Sequence, residues 1–361
     1  MKIYKVTLKP LDWFFFGGES TFDNGEKTSY IAHSDLLPQQ TALLGMVRYQ
    51  LLKQNDLLTE RGKKVELEKV EDLIGKDSFK MRDEEQNFGK IKGLSPVFLE
   101  KEGEKGVEAY FPISLTKGYE LTFEGNVKVS VNGIEKGCLI NDNQTFKQKE
   151  YDNYRRFQGE KDGELMVSKI FETRMQIGIT KNTDFGQDDG DQNRFFKHEM
   201  VKFKTDDFRY VFYVELDEEL KNDYVFLGAE RSCFKMDVTP LPNAKSVCQV
   251  YMDKHNSLEE DGRVELLSPT YIKDMDKLNE ICNFHWSYQT TFRNLTMVKD
   301  GKGKLNSGAI SYDRINSKYQ FLSAGSVLFF DEAKRKDVES LLNDGHMQSI
   351  GYNYYSSMNK E

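Results

Sequence analysis

Alternating apolar and polar residues recur along most of the chain and predict a protein built mainly from strands. The residues from Ile3 to Leu8 alternate in this way, and FRYVFYVEL at 208–216 is the most strand-like run of the sequence. Glycine or charged residues separate further runs of strand-forming residues. These runs lie at 94–100, 108–115, 119–125, 126–133, 167–180, 200–216, 224–226, 246–252, 263–267, 326–330 and around Ile350.

Helical spacing of apolar residues is confined to a few segments. It predicts helices over 39–54, 65–73 and 332–343. The first begins after Pro38, and its apolar residues repeat at helical intervals: Leu43, Leu44, Val47, Leu51 and Leu52. Few helices among many strands predict the α+β class.

Strands early and late with single helices between them favour two ferredoxin-like units of βαββαβ order over a doubly wound sheet. We expect an N-terminal domain over residues 1–219 and a C-terminal domain over 220–361. The stretch 181–194 is polar and contains glycine, so we expect it to form a hairpin tip or a loop.

Length and composition agree with two packed units. The 361 residues include 38% hydrophobic and 12% aromatic residues, which is too much apolar surface for a disordered chain. No stretch approaches membrane-spanning length and no secretory signal is evident, so we expect a cytoplasmic protein without membrane contact. The four cysteines lie too far apart for a CxxC zinc pattern.

The net charge of −8 argues against a free-standing nucleic-acid binder, because such proteins usually carry a basic surplus. The charge is unevenly distributed, however. Residues 143–181 carry eight Lys or Arg against six acids. A local basic surface within an assembly therefore remains compatible with the composition.

The sequence contains no recognisable catalytic or metal-binding motif. The five histidines are dispersed, without HExxH, and there is no GxSxG, Walker loop or GxGxxG. We therefore expect no metal and no cofactor. His33 and His198 are candidates for acid–base chemistry on RNA, because imidazole titrates near neutrality, but we favour surface or capped histidines.

Three segments are suited to nucleic acid, and each has a plainer interpretation. The turn at Gly228 to Ser232 places Arg231 beside backbone N–H groups, which suits phosphate or merely an ordinary hairpin. Tyr151, Tyr154, Arg155 and Arg156 interleave aromatic and cationic groups, which suits single-stranded RNA or a solvated face. The aromatic tail at 345–355 either stacks on bases or covers the core.

Several short stretches, in this order, resemble the RAMP subunits of CRISPR effector complexes, and most of all the third-subunit family of the type III-B Cmr complex. They are LDWFFFGGESTF, LLPQQTALLGMVRYQLL, FETRMQIGI, LGAERSCFKM, LLSPTYI and SGAISYDRINSKYQFLSAGSVLFF. The stretches span nearly the whole chain, and the ordered set is more specific than any one of them.

This resemblance implies two ferredoxin-like domains, the first with a protruding β-hairpin thumb at about 143–195. Either 143–163 or 181–194 would form the thumb. It implies a non-catalytic subunit that binds the 5′ tag of the CRISPR guide RNA, close to the target RNA, and caps the foot of the backbone in antiviral defence. Its protein partners would be the large polymerase-palm subunit and the backbone RAMP subunit.

The resemblance also implies candidate RNA-binding residues. Arg174, Gly228 and Arg231 would contact phosphates or bases. Gln40, Thr41 and Arg48 would meet the tag at the first helix, where free N–H groups favour anions. The basic residues Lys147, Arg155 and Arg156 would line the path of the guide.

Three alternatives remain. The corresponding subunits of other type III systems share the implied fold and similar glycine loops, so the exact subtype stays open. Some RAMP proteins are endoribonucleases that process CRISPR repeat RNA, and the chain would then use His33 or His198. A structural module that contacts only protein would explain the acidic net charge.

Overall fold

A computed structural model describes most of the chain. The described residues are 1–18, 20–22, 30–58, 66–81, 85–104, 106–119, 121–124, 128–131, 134–135, 156–160, 163–180, 194–228, 230–255, 261–292, 295–297, 312–314 and 318–358. The helices within them are α1 (Gln40–Gln54), α2 (Leu67–Ile74), α3 (Val167–Ile170), α4 (Val247–His255), α5 (Met275–Ile281), α6 (Arg335–Leu342) and α7 (Gly345–Gln348), with a 3-10 turn at Glu332–Lys334.

Strands make up most of the regular structure. In chain order they are β1 (Lys2–Pro10), β2 (Ser20–Phe22), β3 (Tyr30–His33), β4 (Ile91–Leu94), β5 (Phe98–Gly103), β6 (Gly106–Pro112), β7 (Leu121–Glu124), β8 (Lys128–Val131), β9 (Ile134–Glu135), β10 (Arg156–Gly159), β11 (Glu164–Met166), β12 (Phe171–Thr180), β13 (Arg194–Phe203), β14 (Phe208–Leu216), β15 (Asp223–Leu227), β16 (Ser232–Pro240), β17 (Arg263–Glu265), β18 (Cys282–Trp286), β19 (Gln289–Phe292), β20 (Leu295–Met297), β21 (Tyr312–Arg314), β22 (Tyr319–Leu322) and β23 (Val327–Phe330).

The largest sheet has the order β11-β10-β6-β5-β14-β1-β16-β15, with β4 also pairing with β14. Strand β1 lies near its centre: Val6 is opposite Phe212 of β14 on one side and Val238 of β16 on the other. Side chains alternate between the two faces, so Val6 and Leu8 pack towards α1, whereas Ile3 packs with Tyr251 of α4. The sheet is therefore covered by α1 on one face and partly by α4 on the other.

The second sheet has the order β12-β13-β3-β2. Strands β12 and β13 form an antiparallel ladder from Phe171↔Phe203 to Thr180↔Arg194. Strand β3 runs parallel to β13, whereas the other pairings among the described strands are antiparallel. The predicted tip at 181–194 thus joins two paired strands, although residues 181–193 lie outside the described part of the chain.

The C-terminal part has its own apolar cluster. Sheet β17-β23-β18 contributes Val264, Leu328 and Phe330, and helices α5 and α6 contribute Leu278 and Val338. The mixed α+β class with mainly antiparallel sheets is confirmed. The two ferredoxin-like units and the thumb stay predictions.

The predicted division at 219/220 also stays a prediction. Strands β15 and β16 follow that point in the chain, yet β16 pairs with β1. The largest sheet therefore contains strands from both sides of the predicted boundary.

The helix predicted over 39–54 is confirmed, but the strand predicted over 246–252 is wrong because this segment begins α4. Ser246 Oγ accepts a hydrogen bond from the Gln249 N–H at 3.1 Å, which caps the first turn. Val247 and Tyr251, four residues apart, then face the same side and are both buried. The S-x-x-Q spacing of Ser246 and Gln249 was the available signal for a helix start.

One further strand prediction is confirmed in part and another is wrong. Of the strand predicted over 167–180, Phe171–Thr180 forms β12, whereas Val167–Ile170 forms the short helix α3. No strand forms around Ile350 in the described chain, because α7 is followed by a turn in which Gly351 has a φ of 88°. The side chains of Tyr352, Tyr354 and Tyr355 are buried, so the tail covers the core and does not present rings to a ligand.

Helices long and apolar enough to cross a membrane are absent from the described ranges.

Candidate functional site

The segment Trp13 to Phe16 joins the second sheet to the largest one. The Phe14 N–H donates to the Val201 carbonyl at 2.8 Å, and the Val201 N–H donates back at 2.9 Å. Phe14 and Phe16 point into the main core, whereas Trp13 and Phe15 pack with Ala32 and Met200 on the other side. The four consecutive aromatic residues therefore alternate between two apolar clusters, as an extended backbone requires.

Arg174 lies on the same side as Trp13. Its guanidinium carbon is 4.5 Å from the centre of the Trp13 ring, a cation–π geometry, and the residue is exposed. Arg174 is opposite Met200 in the β12–β13 ladder, so both side chains project from one face of the second sheet. The ring holds the guanidinium in place while its N–H groups remain available to a ligand.

The turn between β15 and β16 packs against the same segment. Gly228 has a φ of 91°, and a Cβ atom there would collide with the Phe15 carbonyl oxygen. The Arg231 N–H donates to the Gly228 carbonyl at 3.2 Å, and the Arg231 guanidinium lies 5.2 Å from the centre of the Phe226 ring. Glycine is thus required at position 228 by both backbone conformation and space.

His198 connects the second sheet to this turn. Its ring stacks on Phe15, with centres 4.6 Å apart and planes 6° from parallel. Its Nδ1 lies 3.4 Å from a carboxylate oxygen of Glu230. Trp13, Phe15, Arg174, His198, Glu230 and Arg231 therefore form one connected region, which we call the Trp13 surface.

His33 lies on the opposite side of the second sheet. Its Nδ1 is 2.7 Å from Glu199, which is directly opposite it on β13, whereas His198 is opposite Ala32. Neighbouring residues on a strand point to opposite faces, so His33 and His198 project in opposite directions. The two histidines cannot act together on one phosphodiester in this arrangement.

Gln40, at the start of α1, is buried. It is 3% exposed, and its amide nitrogen donates to the carbonyls of Ser95 and Ile350 at 2.7 Å each. This side chain ties α1 to the C-terminal segment and is inaccessible to a ligand. Thr41, the next residue, is half-buried.

Arg48, further along α1, also makes internal contacts. Its guanidinium donates to the Asp77 carbonyl at 3.0 Å and lies 5.2 Å from the centre of the Phe88 ring. Burial lowers the pKa of Arg48 to about 10, and the nearby Asp77 carboxylate partly opposes this shift. The structure therefore gives Arg48 a role in holding α1 to the segment 77–88.

Arg156 lies in β10. In the order of the largest sheet β10 lies six strand positions from β15, so Arg156 is near the opposite edge from Arg231. One of its guanidinium nitrogens is 3.5 Å from Glu164 on the neighbouring strand. Lys147 and Arg155 lie outside the described residues, as do Tyr151 and Tyr154. Of the predicted site residues, the structure brings together Arg174, Gly228 and Arg231.

Three members of the Trp13 surface are not among the predicted site residues: Trp13, Phe15 and Glu230. His198 was a candidate for acid–base chemistry only. The available signal was the motif itself: a tryptophan followed by three phenylalanines and two glycines places large rings on both sides of an extended segment next to a backbone break.

The chemistry of the Trp13 surface is that of binding. It offers two guanidinium groups, a tryptophan ring and a histidine–carboxylate pair. Groups of three or more His, Cys, Asp or Glu side chains able to hold a metal ion do not occur among the described residues. Guanidinium groups bind phosphate oxygens in a bidentate manner, so an anionic, aromatic-containing ligand suits this surface.

A protein-family model described as CRISPR-associated protein (Cas_Cmr3) matches residues 6–127 and 143–356 of the chain. The chain belongs to this Cmr3 family. The matched ranges include Trp13 to Phe16, Arg174 and the turn at Gly228 to Arg231. The family resemblance seen in the ordered sequence stretches is confirmed.

Two solved structures are similar to this Cmr3-family chain along most of its length. One is a "Cryo-EM structure of the Type III-B Cmr-beta bound to cognate target RNA", with 15% identity, a TM-score of 0.47, and coverage of 97% of this chain and 96% of that chain. The other is the same assembly with "AMPPnP, state 1", with 15% identity, a TM-score of 0.47, and coverage of 99% and 96%. No curated protein matches the chain.

Proposed function

We propose that this Cmr3-family chain is a non-catalytic subunit of a type III-B CRISPR effector complex and that it binds the 5′ tag of the guide RNA through the Trp13 surface. The observation that carries the proposal is the position of two predicted RNA contacts. Arg174 stacks on Trp13, and Arg231 lies in the turn that packs on Phe15. One arginine therefore lies directly on the aromatic segment 13–16, and the turn that carries the other packs against the same segment through Gly228.

Arginines held against aromatic rings are suited to the phosphates and bases of an unpaired RNA strand. A guanidinium held over a ring loses less freedom when it meets a phosphate, because its orientation is already restricted. Such a subunit reads the shape and backbone of the guide, and base pairing reads the target. The same surface would then lie close to the target RNA at the tag.

The acidic net charge of −8 is compatible with this role. Only a few phosphates would be neutralised by the Trp13 surface, and the remaining surface would meet protein neighbours. In the proposed complex these are the large polymerase-palm subunit and the backbone RAMP subunit, with this chain at the foot.

The positions of the histidines support a non-catalytic role. General acid–base cleavage of RNA needs two groups that reach opposite ends of one reacting phosphate. His33 and His198 project from opposite faces of the second sheet, and each lies beside a carboxylate, Glu199 and Glu230 respectively. This arrangement counts against an endoribonuclease that uses the two histidines as an acid–base pair on one phosphate.

The proposal is tested by sequencing RNA that co-purifies with the complex assembled from this chain and its neighbouring subunits. We expect guide RNAs with one common 5′ sequence. Omitting this chain from the assembly should reduce the fraction of guides with an intact common 5′ end. RNA with random 5′ ends in the complete complex would contradict the proposal.

A further inference from the structure

The outer face of the β15–β16 hairpin is open, although the inner face is packed. Val225 and Leu227 of β15 are buried in the cluster that contains α1. Tyr224 and Phe226 alternate with them and project outward, with 58% and 52% of their surfaces exposed. In the described part of the sheet β15 is the last strand, so these rings stand at its edge.

Strand register places these rings in two rows that cross three strands. Tyr224 is opposite Lys235 of β16, and Lys235 is opposite Lys9 of β1. Phe226 is opposite Cys233, whose carbonyl accepts a hydrogen bond from the Leu11 N–H at 3.0 Å. Directly opposite residues project from the same face of a sheet, so each row lies on one surface. We call Lys9, Leu11, Tyr224, Phe226, Arg231 and Lys235 the open face.

The open face carries more cations than acids. Lys9 and Lys235 are both exposed and stand directly opposite each other, an arrangement that like charges disfavour. Asp237, which is 3.0 Å from Lys235, supplies one compensating carboxylate. An anionic ligand lying on this face, between the two ammonium groups, would relieve the remaining repulsion.

Arg231 links the open face to the Trp13 surface. Its guanidinium lies over the Phe226 ring at 5.2 Å and is exposed, and Phe226 is more than half exposed despite this contact. The ring is therefore held in position before any ligand arrives. A preordered aromatic ring beside a guanidinium is suited to stacking on a nucleobase.

We propose that the open face binds unpaired nucleotides of single-stranded RNA, with bases stacked on Tyr224 and Phe226 and phosphates against Lys9, Lys235 and Arg231. This proposal rests on the proposed function, which makes the guide the bound RNA. It adds to the Trp13 surface a second surface that contacts the same RNA. Side chains two residues apart on a strand are about 7 Å apart, whereas stacked bases are about 3.4 Å apart. The two bases would therefore be separated from each other, as only an unpaired strand permits.

RNA fits the open face better than a protein partner does. The face lies on a chain of net charge −8 but has three cations around its two rings. The centre of a protein interface is depleted in lysine, and here Lys235 lies between Lys9 and Tyr224. Phosphate accepts such cations, and the rings accept any base.

The test measures binding of the full chain to a fluorescently labelled, unstructured 12-nucleotide RNA by anisotropy. We expect Tyr224→Ala and Phe226→Ala each to weaken binding about 5-fold to 100-fold. The exchanges Tyr224→Phe and Phe226→Tyr should keep binding close to that of the unaltered chain. Tyr49→Ala, which removes a ring that is 47% exposed on α1, is the matched control and should change little.

A charge variant tests the phosphate part of the proposal separately. Lys235→Glu should weaken binding and reduce the slope of log affinity against log salt by about 0.7 for each phosphate that is no longer neutralised. This variant keeps both rings, so it remains informative even if an aromatic variant folds poorly. An unchanged slope and affinity in Lys235→Glu would contradict the placement of phosphates on this face.

The remaining outcomes separate this proposal from the proposed function. RNA binding unaffected by the combined Tyr224→Ala and Phe226→Ala change, but weakened by Arg174→Ala, would overturn the open face and leave the Trp13 surface standing. Normal RNA binding with loss of a co-purifying subunit would make the open face a protein interface. Absence of RNA binding by the chain, alone and in the assembled complex, would overturn both proposals.

Discussion

The Phe15 carbonyl oxygen occupies the space that a Cβ atom would need at Gly228. This close approach fixes the β15–β16 turn against the extended segment Trp13 to Phe16. The turn then determines where Glu230 and Arg231 lie. The position of the proposed binding groups therefore depends on the absence of one side chain.

Replacing Gly228 by alanine should destabilise the protein more than a comparable change nearby. Gly17→Ala is the control, because Gly17 also has a positive φ, 74° against 91°, but nothing lies within 4 Å of its Cβ position. We expect about 1 kcal/mol of lost stability for Gly17→Ala and about 3 kcal/mol for Gly228→Ala, measured by urea unfolding. Equal losses would show that the packing against Phe15 adds nothing to backbone strain.

Arg174→Ala should weaken binding of guide RNA about 10-fold in the assembled complex, because a charge-assisted hydrogen bond is removed. Arg174→Lys should restore the salt dependence but only part of the affinity, since an ammonium group cannot bind two phosphate oxygens in parallel. Lys69→Ala is the control, because Lys69 is an exposed cation on α2. If Lys69→Ala and Arg174→Ala weakened binding equally, Arg174 would contribute only through its charge and the predicted direct contact with RNA would be wrong.

Purified protein should not cleave CRISPR repeat RNA without metal. The separation of His33 and His198 on opposite faces of the second sheet is the reason. Gel analysis of labelled repeat RNA, with and without a chelator, provides the measurement. Cleavage that persists in chelator and disappears in His33→Ala or His198→Ala would instead identify the chain as an endoribonuclease.

Stability should fall between pH 7 and pH 5 partly because of His285. Burial lowers the pKa of His285 from 6.5 to about 4, so the unfolded chain binds this proton first as the pH falls. The neutral, buried form contributes its full stability above pH 6.5, and this contribution is lost progressively towards pH 4. The expected loss from pH 7 to pH 5 is about 2 kcal/mol.

The pH prediction is checked by urea unfolding of the natural chain and of His285→Gln at both pH values. The imidazole Nδ1 lies 3.0 Å from Ser287 Oγ, and glutamine keeps a polar group in that position. We expect the natural chain to lose about 2 kcal/mol more than the variant. An identical pH dependence in both proteins would exclude His285 as the cause.

Elements with a clear periodic pattern of apolar residues were predicted correctly from the sequence. Helix α1 follows from the spacing of its apolar residues, and β14 follows from its run of strand-forming residues. The strand predicted over 246–252 is wrong because the cap formed by Ser246 starts a helix there in spite of the aromatic and β-branched residues. The strand predicted at Ile350 is wrong because contacts with segments distant in the chain, and not local propensity, determine the conformation there.

The candidate site was predictable only in part, because its contacts are distant in sequence. The family resemblance singled out Arg174, Gly228 and Arg231, which the structure brings to one surface. Gln40 was expected at the RNA because it begins a helix, but Ser95 and Ile350, far along the chain, enclose it. Burial of this kind depends on tertiary packing, which residue type and local pattern do not encode.

The most direct test of the central claim is photo-crosslinking within the assembled complex. A guide RNA with 4-thiouridine substituted into its 5′ tag is irradiated, and the crosslinked peptides are identified by mass spectrometry. The account predicts adducts in the peptides that contain Trp13, Arg174 or Arg231. Adducts confined to other surfaces of this chain, or to other subunits alone, would contradict it.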